Sequence, residues 1–286
     1  NMHYYVTQEP APEGITIESI LEGEKAVAVF YENGVKKQQA QMLGKKQQWT
    51  EKEKKRVIKG AIYKLLKQKT QIRPQWGFVT GVRPAKAINE LLDKGYTEQQ
   101  CLCYLIDGYD VTEQKAKLSL EVAKAEREIL SKNRPEDISL YVGIPFCPTR
   151  CLYCSFTAYP LTQYQNHVEQ YLQALAKELA FLGEYAKAFQ LKTIYVGGGT
   201  PTSLTQEQMK WLFEKMGDYF DLQKQGLEFT VEAGRPDTIT KQKLSVMKEY
   251  GVNRISINPQ TMNQKTLQLI GRKHTVEDVK KVFWQA

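Results

Sequence analysis

Residues 140–156 read LYVGIPFCPTRCLYCSF, and this stretch decides the fold. Its first half continues an apolar run, residues 138–146, of the kind that forms a buried strand. Its second half places Cys147, Cys151 and Cys154 in one loop, bent by Pro145 and Pro148. A strand that ends in a chemically loaded loop is the pattern of an α/β fold, where sites are built at the carboxyl ends of parallel strands.

Downstream the unit repeats. Strand-like runs begin at Thr193, Glu228 and Arg254, and amphipathic helical patterns cover residues 163–185, 205–219, 240–250 and 276–286. Four successive βα units predict a parallel sheet covered by helices, either doubly wound or barrel-like. With nothing after Ala286 to close a barrel, the expectation is an open sheet or the front part of a longer protein.

Upstream the pattern changes. The first 42 residues hold short apolar runs at 3–6, 15–21 and 26–31, separated by Pro, Gly and Asn33-Gly34, which predicts a small antiparallel sheet with a hairpin at Asn33-Gly34. Thr50-Glu51-Lys52-Glu53 has the form of a capping box and opens a helix to about residue 69. An irregular segment with Trp76 follows, and helical patterns then cover 84–94, 97–106 and 111–132. Asn133-Arg134-Pro135 breaks them, so the expected domains are 1–135, a small α+β domain, and 136–286.

The 286 residues carry 40 Lys+Arg against 32 Asp+Glu, with 42% hydrophobic residues. These fractions exclude a disordered chain, a collagen and a disulfide-stapled miniprotein. No stretch reaches the roughly 20 apolar residues of a membrane-spanning helix and no signal peptide is legible, so a cytoplasmic location without membrane association is expected. Residues 36–73 hold 13 Lys+Arg and two acidic residues, more than the whole net charge of +8. That segment reads as a patch for a polyanion, nucleic acid or a multiply carboxylated ligand, or more plainly as a solvated helix face, and its only aromatics, Trp49 and Tyr63, do not make the interleaved series of a stacking platform.

Of the five cysteines, Cys101 and Cys103 lie in an apolar helical segment and are expected to be structural. The other three have metal-ligand spacing, which favours zinc or an iron–sulfur cluster. Structural zinc wants four ligands, and no second cysteine pair exists, leaving His274 as the histidine at another strand's loop. Three thiolates suit a cubane with one iron left open. The next strand runs into Gly197-Gly198-Gly199-Thr200-Pro201, whose N–H groups could approach a ligand closely. It is neither a Walker loop nor a dinucleotide fingerprint. Glu232 and Gln260 close the third and fourth strands, so four strand ends bring polar or glycine-rich groups to one rim.

The cysteine motif with GGGTP downstream resembles the radical S-adenosylmethionine superfamily. Within it, residues 140–156, YVGGGTPTSL (195–204), VEAG (231–234) and the 259–275 segment resemble the anaerobic (oxygen-independent) coproporphyrinogen III oxidase group and its HemZ-type coproporphyrinogen dehydrogenase branch, with TGVRPAK (80–86) adding to the likeness. The resemblance implies a partial (β/α)6 barrel, of which about four units are present, and a further C-terminal domain. The chain is therefore expected to be incomplete and inactive alone. It implies a [4Fe-4S] cluster on Cys147, Cys151 and Cys154, and S-adenosylmethionine on its open iron, cleaved by one electron to a 5′-deoxyadenosyl radical. Tyr141 would lie near the cluster, the backbone at Tyr153 near the adenine, and Gly198, Gly199 and Thr200 near the methionine amino group. Glu232, Gln260 and Arg272 match ribose- or carboxylate-binding positions. Plainer roles stand beside two of these: Glu232 as an acceptor for loop N–H groups, Arg272 as a helix-terminal surface charge.

The implied reaction is oxidative decarboxylation of porphyrinogen propionates in haem biosynthesis, fed by a low-potential electron donor such as flavodoxin or ferredoxin. Four propionates would suit the basic N-terminal segment. Two positions depart from the oxidase pattern: Phe156 replaces a fourth cysteine and Gly143 a histidine. Haem-chaperone relatives share the first change, so a haem-binding carrier is the competing expectation. Radical modification of tRNA is a third.

Overall fold

A computed structural model describes residues 13–44, 50–81 and 83–286. The strand expected at residues 3–6, and Lys45 and Lys46 of the basic segment, lie outside the described residues, as does Val82 within TGVRPAK. The chain divides into two compact units, residues 1–133 and 134–286.

In the first unit β1 (Ile15–Glu22), β2 (Lys25–Glu32) and β3 (Val35–Leu43) form an antiparallel sheet in sequence order. The β2–β3 turn is made by Asn33 and Gly34, both with positive φ (50° and 73°), which matches the twist of the strands it joins. β3, VKKQQAQML, is too polar to show as an apolar run. It is a strand because Ala40 and Met42 meet the inward face of β2, where Ala26, Ala28 and Phe30 are buried. Helix α1 (Glu51–Thr70) covers this face with Val57, Ala61 and Leu65. Its Thr50 N-cap accepts from the Glu53 N–H at 3.2 Å.

Three further helices, α2 (Pro84–Asp93), α3 (Glu98–Tyr109) and α4 (Glu113–Leu130), build a second core around Ile88, Leu105, Val111 and Ala116. Thr97 and Gln100 close α3 with a reciprocal capping box. The helical period corrects one expectation: Cys101 is buried beside Leu105, whereas Cys103, two residues on, faces solvent. Trp76 is half-buried against the same core rather than exposed.

The second unit holds a parallel sheet of β4 (Asp137–Ile144), β7 (Gln190–Gly198), β8 (Glu228–Glu232) and β9 (Arg254–Ser256) in that order, with a two-stranded piece, β5 (Phe146–Cys147) and β6 (Tyr159–Pro160), beside it. Strands add in chain order with no reversal, so this sheet has no switch point of the doubly wound kind. Burial along β4 alternates: Leu140, Val142 and Ile144 point into the core, and Ser139 and Tyr141 to the open face. The core is completed by α6 (Val168–Ala186), α7 (Gln206–Gly217) and α8 (Lys241–Glu249); the short α5 (Leu161–Tyr164) precedes α6. After β9 come α9 (Gln264–Leu269) and α10 (Val276–Gln285). Residues 163–185, expected as one helix, are broken by a tight 3₁₀ turn at Gln165–His167. Among the described residues no helix is long and apolar enough to cross a membrane.

Phe213 sits at the centre of this core, edge-on to Phe229 with ring centroids 5.6 Å apart. Phe213→Ala is expected to cost the second unit about 3–5 kcal/mol, the sum of lost transfer energy and an unfilled cavity. A urea melt followed by tryptophan fluorescence checks this; a loss below about 1 kcal/mol would show that the core collapses around the gap.

Candidate functional site

All four parallel strands deliver their loops to the same edge, because parallel strands in one sheet share their carboxyl end. The loop after β4 carries the cysteines. Cys147 is buried, and Cys151 and Cys154 are half-buried. Burial pushes the Cys147 thiol up, the Thr200 hydroxyl at 3.3 Å and the Arg235 charge pull it down, and the other two sulfurs push it up again. Among the described residues no three His, Cys, Asp or Glu side chains close round a single ion. One zinc would need its sulfurs about 3.8 Å apart, from Zn–S bonds of about 2.3 Å. Three thiolates offered by one short loop are the donor chemistry of an iron–sulfur cluster. His274 does not join the cysteines in such a group.

The glycine turn after β7 is pressed onto this loop. Gly198 has φ +111°, and a Cβ on Gly199 would lie 2.8 Å from the Phe146 carbonyl oxygen, so neither position tolerates a side chain. The close approach is made by the backbone itself. The N–H groups of Gly198, Gly199 and Thr200 donate to Glu232 Oε2 (3.1 Å), the Ile144 carbonyl (2.8 Å) and the Phe146 carbonyl (2.9 Å). This corrects the expectation that those N–H groups are open to a ligand carboxylate, for all three have protein acceptors. The Thr200 hydroxyl is buried too, 3.3 Å from the Cys147 sulfur.

Glu232, the last residue of β8, is engaged on both oxygens, by Gly198 and by the Tyr195 hydroxyl at 2.6 Å. The plainer role of loop acceptor is thus the one its contacts describe. Burial first, then that bond to Glu232, raises Tyr195 to about 12. Tyr195 in turn stacks on Tyr141, rings 10° from parallel and 5.9 Å apart, and leaves Tyr141 62% exposed on the open face of the sheet.

Arg272 is 9% exposed, so the surface-charge alternative does not hold. Its Nε and Nη2 donate to the Tyr153 hydroxyl (3.3 and 3.0 Å) and its Nη1 to the Gly234 carbonyl (3.2 Å). The fork expected to receive a carboxylate is turned onto the protein. Gln260 lies four residues beyond the end of β9, exposed, with φ +61°. No hydrogen bond is described between its side chain and the other site residues.

Sequence reasoning missed Arg235. This residue is 2% exposed, paired on two nitrogens with Asp237 at 3.3 Å. It also donates to the Thr149 carbonyl (3.0 Å) and hydroxyl (3.1 Å) and points at the Cys151 sulfur from 3.8 Å. The available signal was its place, directly after VEAG at the third strand end, where a cation faces three potential thiolates. Around it the β7 and β8 loops are laced by Thr202–Thr238 (2.7 Å) and by Lys243, which donates to the Thr202 carbonyl at 2.7 Å. His274, 1% exposed, completes this shell, its Nδ1 3.9 Å from Asp237 Oδ1, and burial lowers its pKa.

The family model described as the Radical SAM superfamily matches residues 141–283. The chain is 38% identical over 285 residues to an oxygen-independent coproporphyrinogen-III oxidase-like protein, HemZ, of Bacillus subtilis, covering 96% of this chain and 56% of the relative. It is 42% identical over 150 residues to the haem chaperone HemW of the same organism, covering 52% of this chain and 38% of the relative. The solved coproporphyrinogen III oxidase HemN of Escherichia coli, titled a radical SAM enzyme, aligns with a TM-score of 0.49 at 26% identity, over 57% of this chain and 37% of that one. The chain thus spans about half or less of the length of these relatives.

Replacing Arg235 by Leu is expected to strip Asp237 and the Thr149 carbonyl of their donors and destabilise the second unit by about 3–5 kcal/mol, as read by denaturant titration. Arg235→Lys, which keeps the charge but not the fork, should fall in between. Equal stability of all three proteins would show that the buried guanidinium does not hold the cysteine loop.

Proposed function

We propose, from the premise that the chain belongs to the radical S-adenosylmethionine superfamily, that it is the cluster-bearing part of an oxidoreductase acting on the propionate side chains of a coproporphyrinogen-type substrate. The superfamily uses a [4Fe-4S] cluster and S-adenosylmethionine. Together, when bound, these supply one-electron cleavage of the sulfonium and hence a radical able to take hydrogen from carbon. The observation that carries the reading is the set of three sulfurs on one bent loop with a buried cation, Arg235, beside them.

In this reading Cys147, Cys151 and Cys154 hold the cluster. Arg235 offsets the negative charge that thiolate ligands bring into a partly dehydrated loop and fixes the Cys151 side of it through Thr149. The Thr200 hydroxyl sets the Cys147 side. The Tyr141–Tyr195 stack offers a flat apolar face on the open side of the sheet. Glu232 keeps spare lone pairs on both oxygens for an ammonium donor, while Gln260 and the Tyr153–Arg272 pair border the same edge. Arg272 can meet a ligand carboxylate bidentately only by releasing Tyr153. The four parallel strands stand as the first part of a partial (β/α)6 barrel, the arrangement that would give this edge a walled interior. A low-potential donor such as flavodoxin or ferredoxin would deliver the electron.

One observation favours a second reading, a haem-binding chaperone. Phe156 occupies the position of a fourth cysteine and is 71% exposed, and the chaperone relative is the one at 42% identity.

Anaerobic reconstitution with iron and sulfide is expected to give cubane absorption and, after reduction, a paramagnetic signal. Cys147→Ser, Cys151→Ser and Cys154→Ser should each remove both. Formation of 5′-deoxyadenosine from S-adenosylmethionine under dithionite, increased by coproporphyrinogen III, would support the oxidase. Stoichiometric haem binding with no such increase would support the chaperone. Tetrahedral zinc bound in place of the cluster would defeat both.

A further inference from the structure

The first unit contains a charged cavity that the radical chemistry does not use. About 350 Å³ of space is lined by Lys52, Lys55, Arg56, Lys59, Arg83 and Lys86, against a single lining carboxylate, Glu90. Lys52, Lys55 and Lys59 recur at i, i+3 and i+7 and so share one face of α1, spread over about 10 Å of its axis. Arg83 and Lys86 flank Pro84, the first residue of α2, where the positive end of that helix's dipole reinforces them. Phe78, Tyr104 and Tyr109 supply aromatic lining, and they touch one another with ring centroids 5.1 and 5.3 Å apart.

Cations with a structural task in this unit have carboxylate partners: Lys54 with Glu51, Arg56 with Glu53, and Lys67 and Arg73 with Asp110. Lys52, Lys55, Arg83 and Lys86 have no carboxylate within salt-bridge distance among the described residues, and Lys59 reaches only the Thr80 hydroxyl at 3.0 Å. Five cations without an ion pair round a cavity that holds one carboxylate, Glu90, repel each other, and an anionic occupant would relieve that repulsion.

We propose that this cavity binds a ligand carrying two or more linked phosphates. Four of the six cations are lysines, compact charges on flexible stems, and a helix amino end stands among them; both suit tetrahedral oxyanions better than the planar fork that carboxylates favour. The row on α1 is long enough for consecutive phosphates, and the aromatic lining offers a face to an attached base. The phosphates come either from a single-stranded nucleic acid or from a free nucleoside polyphosphate.

The test uses the chain as it stands. A labelled 12-nucleotide single-stranded RNA is followed by fluorescence anisotropy, ATP and inorganic tripolyphosphate by calorimetry, and each again with Lys52→Gln/Arg83→Gln/Lys86→Gln. Lys210→Gln/Lys241→Gln/Lys248→Gln, with the same charge change in the second unit, is the control. All six positions are exposed, so the variants should melt like the parent. Saturable binding is expected to weaken at least tenfold in the cavity variant, with the salt slope for RNA flattened by about 2, and less than twofold in the control. RNA binding that tripolyphosphate does not displace below millimolar concentration identifies a strand as the source; tripolyphosphate or ATP binding as tightly as RNA identifies the free polyphosphate. The proposal is overturned if the control weakens binding as much as the cavity variant, if no phosphate probe saturates, or if only coproporphyrin binds in a way the cavity variant abolishes.

Discussion

A buried guanidinium organises the site. Arg235 leaves the third strand of the parallel sheet, is held by Asp237, and spends its remaining donors on Thr149 and the Cys151 sulfur. A loop of cysteines, prolines and polar backbone cannot supply its own ladder of hydrogen bonds, so it must borrow donors from its neighbours. Taking one charge out of water is costly unless it is paired and fully hydrogen-bonded. Arg235 meets that condition only when the β4 and β8 loops are both in place, and the two loops are thereby coupled.

The glycine turn works by the same constraint from the other side. With no side chain at Gly199 and a left-handed backbone at Gly198, the β7 loop closes onto the start of the cysteine loop, and Glu232 locks it from β8. Three neighbouring strand ends are thus tied by hydrogen bonds that exist without any ligand. What remains accessible afterwards is the half-buried pair Cys151 and Cys154 and the exposed ring of Tyr141. These bonds preorganise the start of the cysteine loop, while Arg272 stays committed to Tyr153 and Gly234.

The basic first unit obeys a different logic. Several of its cations are neutralised in pairs, and five unpaired ones line one cavity, where α1 and the start of α2 meet the aromatic lining. The lysine run carries few aromatics of its own, but the fold brings Phe78, Tyr104 and Tyr109 to it from other elements. Charge density was therefore readable along the chain, and its concentration at one cavity was not.

The cysteine spacing, the strand-and-helix alternation after residue 138 and the Asn33-Gly34 hairpin were all decided locally, by sterics, period and the reach of a short loop, and so were legible in the sequence. The polar β3 was not, since its burial depends on which face of β2 it meets. The surface-charge role for Arg272 and the open glycine N–H groups were misjudged for a shared reason. Their residue types state what they can bond with, but the partner is chosen by loops that come from strands 30 to 120 residues away. Arg235 is the clearest case: its place after the third strand puts it at the rim, but only the parallel sheet, by aligning strand ends, brings it to the Cys151 sulfur.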